Sequence, residues 1–245
     1  MNLSQAEKSL LTRVREARTS RKTTTSQTEA VGVDLEGAYR IQSALGENRE
    51  LRGYKFGLIS PAKQAQMGIS APIYGRVYAE MLLESPVHLS RFIQPRIEPE
   101  LAVVLRDDLH TRVLPGAARL AVGGVFLGVD FLDSIWEGYR FSIAEVVADN
   151  ASGGGFLLGK QQLREPLTGA LRLYLNGELL TEGPVEALGD IGERLSWLSE
   201  KVGGLKAGYV IFLGSPAAAL PAQPGMLELH SPQDSVLTAM VHASL

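Results

Sequence analysis

The sequence predicts an α+β fold, and three observations carry that prediction. Apolar residues recur at helical spacing over residues 3–17 and 34–51. Two later apolar runs, 97–105 and 123–132, are too short for typical helices and are typical of strands. Asn-Gly at 176–177 separates two further apolar runs and favours a two-residue hairpin. A chain that begins with helices and continues with a strand-rich body is typical of the α+β class.

The first fifty residues are predicted to form an N-terminal helical segment. Ser4 can cap the first helix, and Glu7 three residues later completes a capping box. A second amphipathic helix is predicted from Asp34 to about Leu51. We therefore divide the chain into a helical segment, residues 1–50, and a strand-rich domain, residues 51–245.

The remaining elements follow from short apolar runs and turn signals in residues 51–245. The predicted strands are Tyr54–Ile59, Ile97–Leu105, Gly123–Leu132, Leu171–Leu175, Glu178–Leu180, Tyr209–Leu213, Met226–His230 and Val236–Val241. A helix is predicted over Ile191–Val202, where Leu195 and Leu198 would be buried.

Composition excludes several classes of protein. The 245 residues include 24 basic and 27 acidic side chains, giving a formal charge of −3 without a basic tract, which argues against a nucleic-acid binder. The absence of cysteine excludes disulfides, thiolate zinc sites, iron–sulfur clusters and a cysteine nucleophile. The charged N-terminus has no apolar signal region. We expect a cytoplasmic protein without a membrane segment.

The most informative segment is the predicted strand that begins at Arg96. Side chains alternate along a strand, so Arg96, Glu98 and Glu100 share one face. Two neighbouring carboxylates repel each other unless a cation lies between them, and Mg²⁺ or Mn²⁺ prefers such oxygen ligands. Asp130, inside an apolar run, is the third candidate. The alternative is a solvated strand face, with Asp130 paired to Arg96.

Pro99 interrupts this strand and predicts an edge position or an irregular strand entry.

Two further features, the run 146–155 and Lys55, each allow a structural and a functional interpretation. The run predicts either a helix that ends in a glycine-rich loop or a loop whose Asn150 and Ser152 hold a carboxylate. Lys55 is either a surface lysine or a buried cation that faces an acidic substrate.

Four segments together resemble a known family. They are Gly-x-Lys-x-Gly-Leu at 53–58, Pro-x-Tyr-Gly at 72–75, Arg-Ile-Glu-x-Glu at 96–100 and Ala-Asp-Asn-Ala-Ser at 148–152. Their order and spacing resemble the fumarylacetoacetate-hydrolase-like superfamily, in the branch of 2-hydroxypentadienoate hydratases and 4-oxalocrotonate decarboxylases. The resemblance implies a mixed β-sheet roll with a barrel-like core, of the fumarylacetoacetate hydrolase C-terminal-domain type, as the catalytic domain over residues 51–245.

The resemblance also implies residue roles. Glu98, Glu100 and Asp130 would bind Mg²⁺ or Mn²⁺, although relatives usually carry Glu where Asp130 stands. Lys55 would be catalytic. The substrate would be bound by Leu58, Tyr74, Asn150 and Ser152. Two departures remove polar contacts to an acidic substrate: Ile59 stands where the family usually has Thr, and Ile135 where it usually has Arg.

The implied activity is that of a lyase in aromatic-compound degradation. Hydratases of this branch usually carry Asp where Ile73 stands, so the resemblance favours metal-dependent decarboxylation of a small unsaturated 2-oxo diacid such as 4-oxalocrotonate. A 2-hydroxypenta-2,4-dienoate-type hydratase is the first alternative. A catalytically weak partner subunit is the second. Expected partners are the small 2-oxo acid and further chains, either as a homo-oligomer or with a hydratase/decarboxylase partner chain, but neither nucleic acid nor membrane.

Overall fold

A computed structural model describes residues 2–27 and 32–244, and it confirms the α+β fold with a curled mixed sheet. The helices are α1 (Gln5–Ser20), α2 (Leu35–Leu45), α3 (Pro61–Gln66), α4 (Pro115–Leu120), α5 (Ile143–Ala148) and α6 (Ile191–Val202). The strands are β1 (Leu51–Gly57), β2 (Ile73–Tyr78), β3 (Leu82–Leu83), β4 (Val87–His88), β5 (Arg96–Leu105), β6 (Val122–Leu132), β7 (Gly153–Gln162), β8 (Ala170–Leu175), β9 (Glu178–Pro184), β10 (Val210–Phe212), β11 (Leu220–Pro221), β12 (Gly225–His230) and β13 (Val236–His242).

Helices α1 and α2 confirm the helical character of the N-terminal segment, of which residues 1 and 28–31 lie outside the described residues. Ser4 and Glu7 form the expected capping box, each side chain accepting from the other residue's backbone N–H. Helix α2 ends at Leu45 rather than near residue 51, because the chain turns at Gly46 and enters β1. Both helices share an apolar cluster with α5. The division of the chain at residue 50 stays a prediction.

The larger sheet has eight strands in the order β2-β1-β10-β5-β6-β7-β3, with β11 also paired to β5. Strands β5 and β6 are antiparallel neighbours, and their register sets Glu98 directly opposite Asp130. Directly opposed residues of an antiparallel pair present their side chains on the same face. This register is therefore what brings a carboxylate of β6 beside the two carboxylates of β5.

The expectation that Pro99 marks an edge strand is wrong, because β5 is an internal strand. On one side, β5 pairs continuously with β6 through Pro99 and Val129. On the other side, β10 pairs with residues 102–104 and β11 with residues 96–97. Pro99 lies in the interval between them, where no partner strand needs the N–H that proline lacks.

The second sheet has five strands in the order β4-β13-β12-β8-β9. The predicted hairpin joins β8 to β9, and Asn176 and Gly177 take φ values of 51° and 81°. These left-handed values are those that a type I′ turn requires. Leucines from this sheet, including Leu173 and Leu229, share one buried core with β5 and β6 of the larger sheet.

Four strands of the larger sheet, β2, β3, β7 and β11, were not predicted. Strand β7 begins at Gly153, so the glycine-rich run is a strand rather than a loop. A Cβ at Gly154 would lie 2.5 Å from the Phe131 carbonyl oxygen, and one at Gly155 would lie 2.7 Å from a Leu83 methyl. These glycines allow close strand packing. No described helix is long and apolar enough to cross a membrane.

Candidate active site

The structure brings together the three carboxylates that were proposed as metal ligands. Glu98 and Glu100 extend from β5 and Asp130 from β6. Their relative exposures are 7%, 0% and 0%, so these groups do not form a solvated strand face. One carboxylate oxygen of each residue lies within 4.8 Å of the other two. We call Glu98, Glu100 and Asp130 the carboxylate triad.

Lys55 on β1 is buried beside the triad and is not a surface lysine. Its side chain is 1% exposed, and its Nζ lies 2.9 Å from Asp130 Oδ2. The alternative pairing of Asp130 with Arg96 is wrong, since the Arg96 guanidinium instead lies over the Tyr139 ring. One ammonium group therefore faces three buried carboxylates.

Burial dominates the protonation of this group. Desolvation, with repulsion from Asp130, raises the pKa of Glu98 to about 7 and that of Glu100 well above its usual value. Burial acts to lower the pKa of Lys55, but attraction by the three carboxylates outweighs it and holds that pKa above 10.5. A second positive charge would relieve the remaining repulsion.

The donor set of the triad fits a hard divalent cation. Glu100 Oε1 and Asp130 Oδ1 are buried without a hydrogen-bond partner among the described residues. Such orphaned buried oxygens are costly unless a cation or water satisfies them. The other Glu100 oxygen accepts from the Gly214 N–H at 2.9 Å, which orients the carboxylate. An all-oxygen set is the kind that Mg²⁺ and Mn²⁺ prefer.

A cavity of about 870 Å³ opens above the triad. Lys55 and Glu98 lie at its surface, whereas Glu100 and Asp130 are buried beneath it. Leu58 and Ser152, both expected to bind substrate, line its wall. The volume is within the range that small-molecule sites occupy.

The turn 150–152, which brings Ala151 and Ser152 to the cavity wall, contains strained backbone. Asn150, Ala151 and Ser152 take φ values of 53°, 52° and 55° in succession, and Leu58 takes 52°. Left-handed conformations of non-glycine residues cost roughly 1–3 kcal/mol each and cluster at functional sites. The hydroxyl oxygen of Ser152 is also buried without a hydrogen-bond partner among the described residues. This wall is therefore a place where the fold retains both strain and an unsatisfied donor.

Tyr74 and Asn150, also expected to bind substrate, lie outside the lining of this cavity. The Tyr74 ring stacks on Tyr39 with centroids 4.2 Å apart and lines a second cavity of about 890 Å³. The Asn150 amide accepts from the Arg76 N–H at 2.7 Å and donates to the Arg76 carbonyl at 2.9 Å. Asn150 thus fixes the turn against β2, and the substrate-binding roles of both residues stay predictions.

Ile59 and Ile135, which stand where the family usually has Thr and Arg, both pack among apolar side chains. Ile59 packs on the apolar core and reaches the glycine at 214. Ile135 is fully buried, and its backbone N–H donates to Asp149 at 2.9 Å. Neither side chain lines the cavity.

Sequence reasoning missed several residues that line the cavity. Thr25 and Ser26 arrive from the segment after α1, and Tyr139 and Arg140 from the segment after β6. The Tyr139 backbone has a φ of 60°, which no sequence pattern signals. Only the tertiary fold brings these segments to Arg96.

A second buried acidic cluster lies away from this cavity and consists of Arg18, Asp133 and Asp149. The Arg18 guanidinium lies 2.9 Å from Asp133 and 2.6 Å from Asp149. Asp133 also accepts the N–H groups of Ile93 and Gln94, and Asp149 accepts that of Ile135. Burial raises the pKa of Asp149 to about 6, against the opposing effect of Arg18. We call this the arginine cluster.

The curled mixed sheet with three convergent carboxylates on adjacent strands, open to a small-molecule cavity, defines a fumarylacetoacetate-hydrolase-like protein. The family model described as fumarylacetoacetate (FAA) hydrolase C-terminal matches residues 63–240. The chain belongs to this family, as its sequence motifs predicted.

Curated relatives include enzymes of both the decarboxylase and the hydratase type. The chain is 32% identical over 231 residues to a 4-oxalocrotonate decarboxylase from Pseudomonas sp., with 87% of this chain and 89% of the relative covered. It is 33% identical over 238 residues to a 2-keto-4-pentenoate hydratase from Paraburkholderia phymatum, with the same coverage.

Among solved structures, 4-oxalocrotonate decarboxylase from Pseudomonas putida G7, complexed with magnesium and adipate, superposes with a TM-score of 0.87. The sequences are 27% identical, and the match covers 98% of this chain and 100% of the other. The same decarboxylase has been solved with calcium and acetate. A divalent cation thus occurs in structures of a relative that shares the whole fold.

Proposed function

We propose that this protein is a lyase that decarboxylates a small unsaturated 2-oxo diacid of the 4-oxalocrotonate kind, with a divalent cation on the carboxylate triad. The observation that carries the proposal is the unsatisfied triad beneath a cavity whose wall includes the apolar Ile73. The magnesium and adipate of the related decarboxylase support both the cation and a diacid ligand.

The protein residues have separable roles in this reaction. A divalent cation held by Glu98, Glu100 and Asp130 would supply Lewis-acid stabilisation of negative charge on the keto oxygen of a chelated 2-oxo acid. Lys55 holds a positive charge and a proton at Nζ beside this group. The electron pair released as CO₂ departs moves through the double bond towards the keto oxygen, and the Lys55 ammonium stabilises it there.

Leu58 and Ile73 contribute by excluding water from the departing carboxylate. Both line the cavity, and Ile73 is only 2% exposed. A carboxylate that is poorly hydrated has less to lose on becoming neutral CO₂. Ser152, with its unpartnered hydroxyl, is placed to donate a hydrogen bond to a substrate carboxylate.

Ile73 also favours decarboxylation over water addition. Addition of water requires proton transfer, and an acid at this position would serve it. Ile73 has no titratable group, and Gly57 lies opposite it in the β1–β2 pair. Decarboxylation needs no acid at this point of the wall.

The direct test is to incubate the purified protein and Mg²⁺ with 4-oxalocrotonate and, separately, with 2-hydroxypenta-2,4-dienoate. We expect CO₂ release from the first substrate and no 4-hydroxy product from the second. The Glu100→Gln protein serves as the control for metal-independent decay. Hydration of the dienoate without CO₂ release from the diacid would establish the alternative, a hydratase.

A second candidate is a catalytically weak partner subunit, which the replacements at Ile59 and Ile135 favour. Self-association, or association with a hydratase chain, would then sustain activity that the isolated chain lacks. Sedimentation of the protein alone and mixed with a 2-keto-4-pentenoate hydratase, followed by assay of each fraction, distinguishes these assemblies. Full decarboxylase activity of the isolated chain would exclude the weak-subunit candidate.

A further inference from the structure

We propose that Arg96 binds the distal carboxylate of the diacid substrate and so selects diacids over monoacids, an inference that rests on the proposed function. The cavity has a negatively charged side and a positively charged side. The carboxylate triad occupies its base, and three cations, Lys63, Arg96 and Arg140, line it elsewhere. One acid, Glu137, accompanies these cations, so their part of the lining carries net positive charge.

Arg96 differs from the other cations of the lining. Lys63 and Arg140 are exposed, whereas Arg96 is half-buried. Among the described residues, no carboxylate lies within ion-pair distance of the Arg96 guanidinium, although Arg18 and Arg40 each hold such a partner. A half-buried guanidinium that faces a cavity without a counter-ion is suited to an anionic ligand.

Tyr139 holds the Arg96 side chain in place. The guanidinium carbon of Arg96 lies 4.3 Å from the Tyr139 ring centroid. The Tyr139 hydroxyl donates to the Gln94 carbonyl at 3.1 Å, and its backbone is held at a φ of 60°. Stacking on a ring face leaves the in-plane N–H donors of a guanidinium free, and those donors match a carboxylate.

The spacing along β5 is compatible with a diacid. Arg96 lies two residues before Glu98 on the same strand face, which separates their Cα atoms by about 7 Å. This is comparable with the separation of the two carboxylates in an extended diacid the size of 4-oxalocrotonate. A substrate whose 2-oxo acid end lies on the triad can therefore extend its other end towards Arg96.

The chemistry determines which kinetic constant Arg96 affects. The distal carboxylate is the group lost as CO₂, so its pairing with a guanidinium stabilises bound substrate but must be broken during reaction. An interaction made in the ground state lowers KM without raising kcat. Arg96 is thus a specificity-determining residue and not a source of rate acceleration.

The test compares two unreactive ligands, 2-oxoadipate and 2-oxohexanoate, which differ only at the distal end. Titration calorimetry with the Mg²⁺-loaded protein should give tighter binding of 2-oxoadipate by about 10- to 100-fold, equal to about 1.4 to 2.8 kcal/mol. Arg96→Gln should abolish this preference and leave 2-oxohexanoate binding unchanged, which also shows that the variant is folded. Arg96→Lys should retain part of the preference, since it keeps the charge but not the planar fork.

Arg140→Gln is the matched control, because it removes a cation from the same lining without touching the Arg96 stack. It should retain the preference for 2-oxoadipate. A preference that survives Arg96→Gln, or that is lost in Arg140→Gln instead, overturns the assignment of Arg96 and leaves the proposed function standing. If neither 2-oxo acid binds the Mg²⁺-loaded wild-type protein, the proposed function itself fails, and this inference fails with it.

Discussion

The carboxylate triad and the arginine cluster are both buried acidic groups, yet they differ in how their charges are satisfied. In the arginine cluster, the carboxylates of Asp133 and Asp149 share the guanidinium of Arg18 and accept three backbone N–H bonds. In the triad, three carboxylates share one ammonium and, among the described residues, accept a single backbone N–H.

Under the proposed function, this difference separates a group that contributes to folding from a group that contributes to chemistry. Buried charges persist when they are paired and hydrogen-bonded, as in the arginine cluster. Among the described residues, the triad retains buried oxygens without a hydrogen-bond partner, and the arginine cluster retains none. A group left unsatisfied in this way requires something from outside the chain, and a divalent cation meets that requirement.

The largest expected effect is on catalysis, from Glu100→Gln. Loss of a ligand removes Lewis-acid stabilisation of about 4 kcal/mol, or about a thousandfold in kcat. Mg²⁺ affinity, measured by calorimetry, should fall as well. The metal-free protein should unfold at the same or a higher temperature, because a glutamine can keep the Gly214 hydrogen bond without the cost of burying an ionisable carboxyl. Retention of tight Mg²⁺ binding by the double variant Glu98→Gln/Glu100→Gln would overturn the metal assignment.

The matching change in the other group is Arg18→Met, which should act on stability instead. Removing the guanidinium leaves two buried carboxylates unpaired, at a cost of about 3 kcal/mol. Urea denaturation at neutral pH measures this loss. Calorimetric Mg²⁺ affinity of the folded variant should equal that of the wild type. A large fall in that affinity would show that the two groups are not independent.

The third effect is on pH dependence. Burial raises the pKa of Glu98 to about 7 in the folded, metal-free protein, from its ordinary value of 4.5. A group with a raised pKa stabilises the fold at low pH, and that contribution is lost as the pH rises through about 7. The free energy of unfolding should therefore fall by about 3 kcal/mol between pH 4.5 and 7.

Two controls assign this pH dependence to the triad. Glu98→Gln should reduce the fall between about pH 4.5 and 7, and the raised pKa of Glu100 accounts for a part that remains. Saturating Mg²⁺ should remove the contribution of both carboxyls, since the cation binds their ionised forms and competes with the proton. Asp149, with a pKa of about 6, accounts for a separate fall at lower pH that Mg²⁺ leaves unchanged. An Mg²⁺-insensitive profile throughout would contradict the role of the triad.

The smallest expected effect comes from Asp130→Glu, which gives position 130 the longer side chain that is usual in fumarylacetoacetate-hydrolase-like relatives. We expect Mg²⁺ to bind more tightly, by less than about tenfold, because the change lengthens one ligand side chain by a single methylene group and keeps its carboxylate. Asp133→Glu is the matched control in the arginine cluster. It should lower the unfolding temperature without changing Mg²⁺ affinity. Weaker binding by Asp130→Glu would indicate that its contact with Lys55 requires the shorter side chain.

Local patterns in the sequence predicted much of this molecule. The alternation at Glu98 and Glu100 and the apolar surroundings of Asp130 identified the triad, and turn chemistry identified the hairpin at Asn176. These signals lie within a few residues of one another. Resemblance added the family, because its motifs occur in the expected order.

Contacts between distant segments could not be predicted. Arg18 reaches Asp133 and Asp149 across 115 and 131 residues, and no local pattern records such a pair. The partner of Asp130 depends on how β1 approaches β6 through the sheet. The strand at Gly153 was missed because strand propensity disfavours glycine, whereas close packing there demands it.

Gly75 shows how the cavity can and cannot change during evolution. A Cβ at this position would lie 2.5 Å from the Asn150 carbonyl oxygen, at the strained turn that forms the cavity wall. Lining residues such as Ile73 can be exchanged to suit a different substrate while the backbone stays in place. Any side chain at position 75 would displace the wall itself. A residue without a side chain thus marks the boundary between variation that tunes specificity and variation that destroys the site.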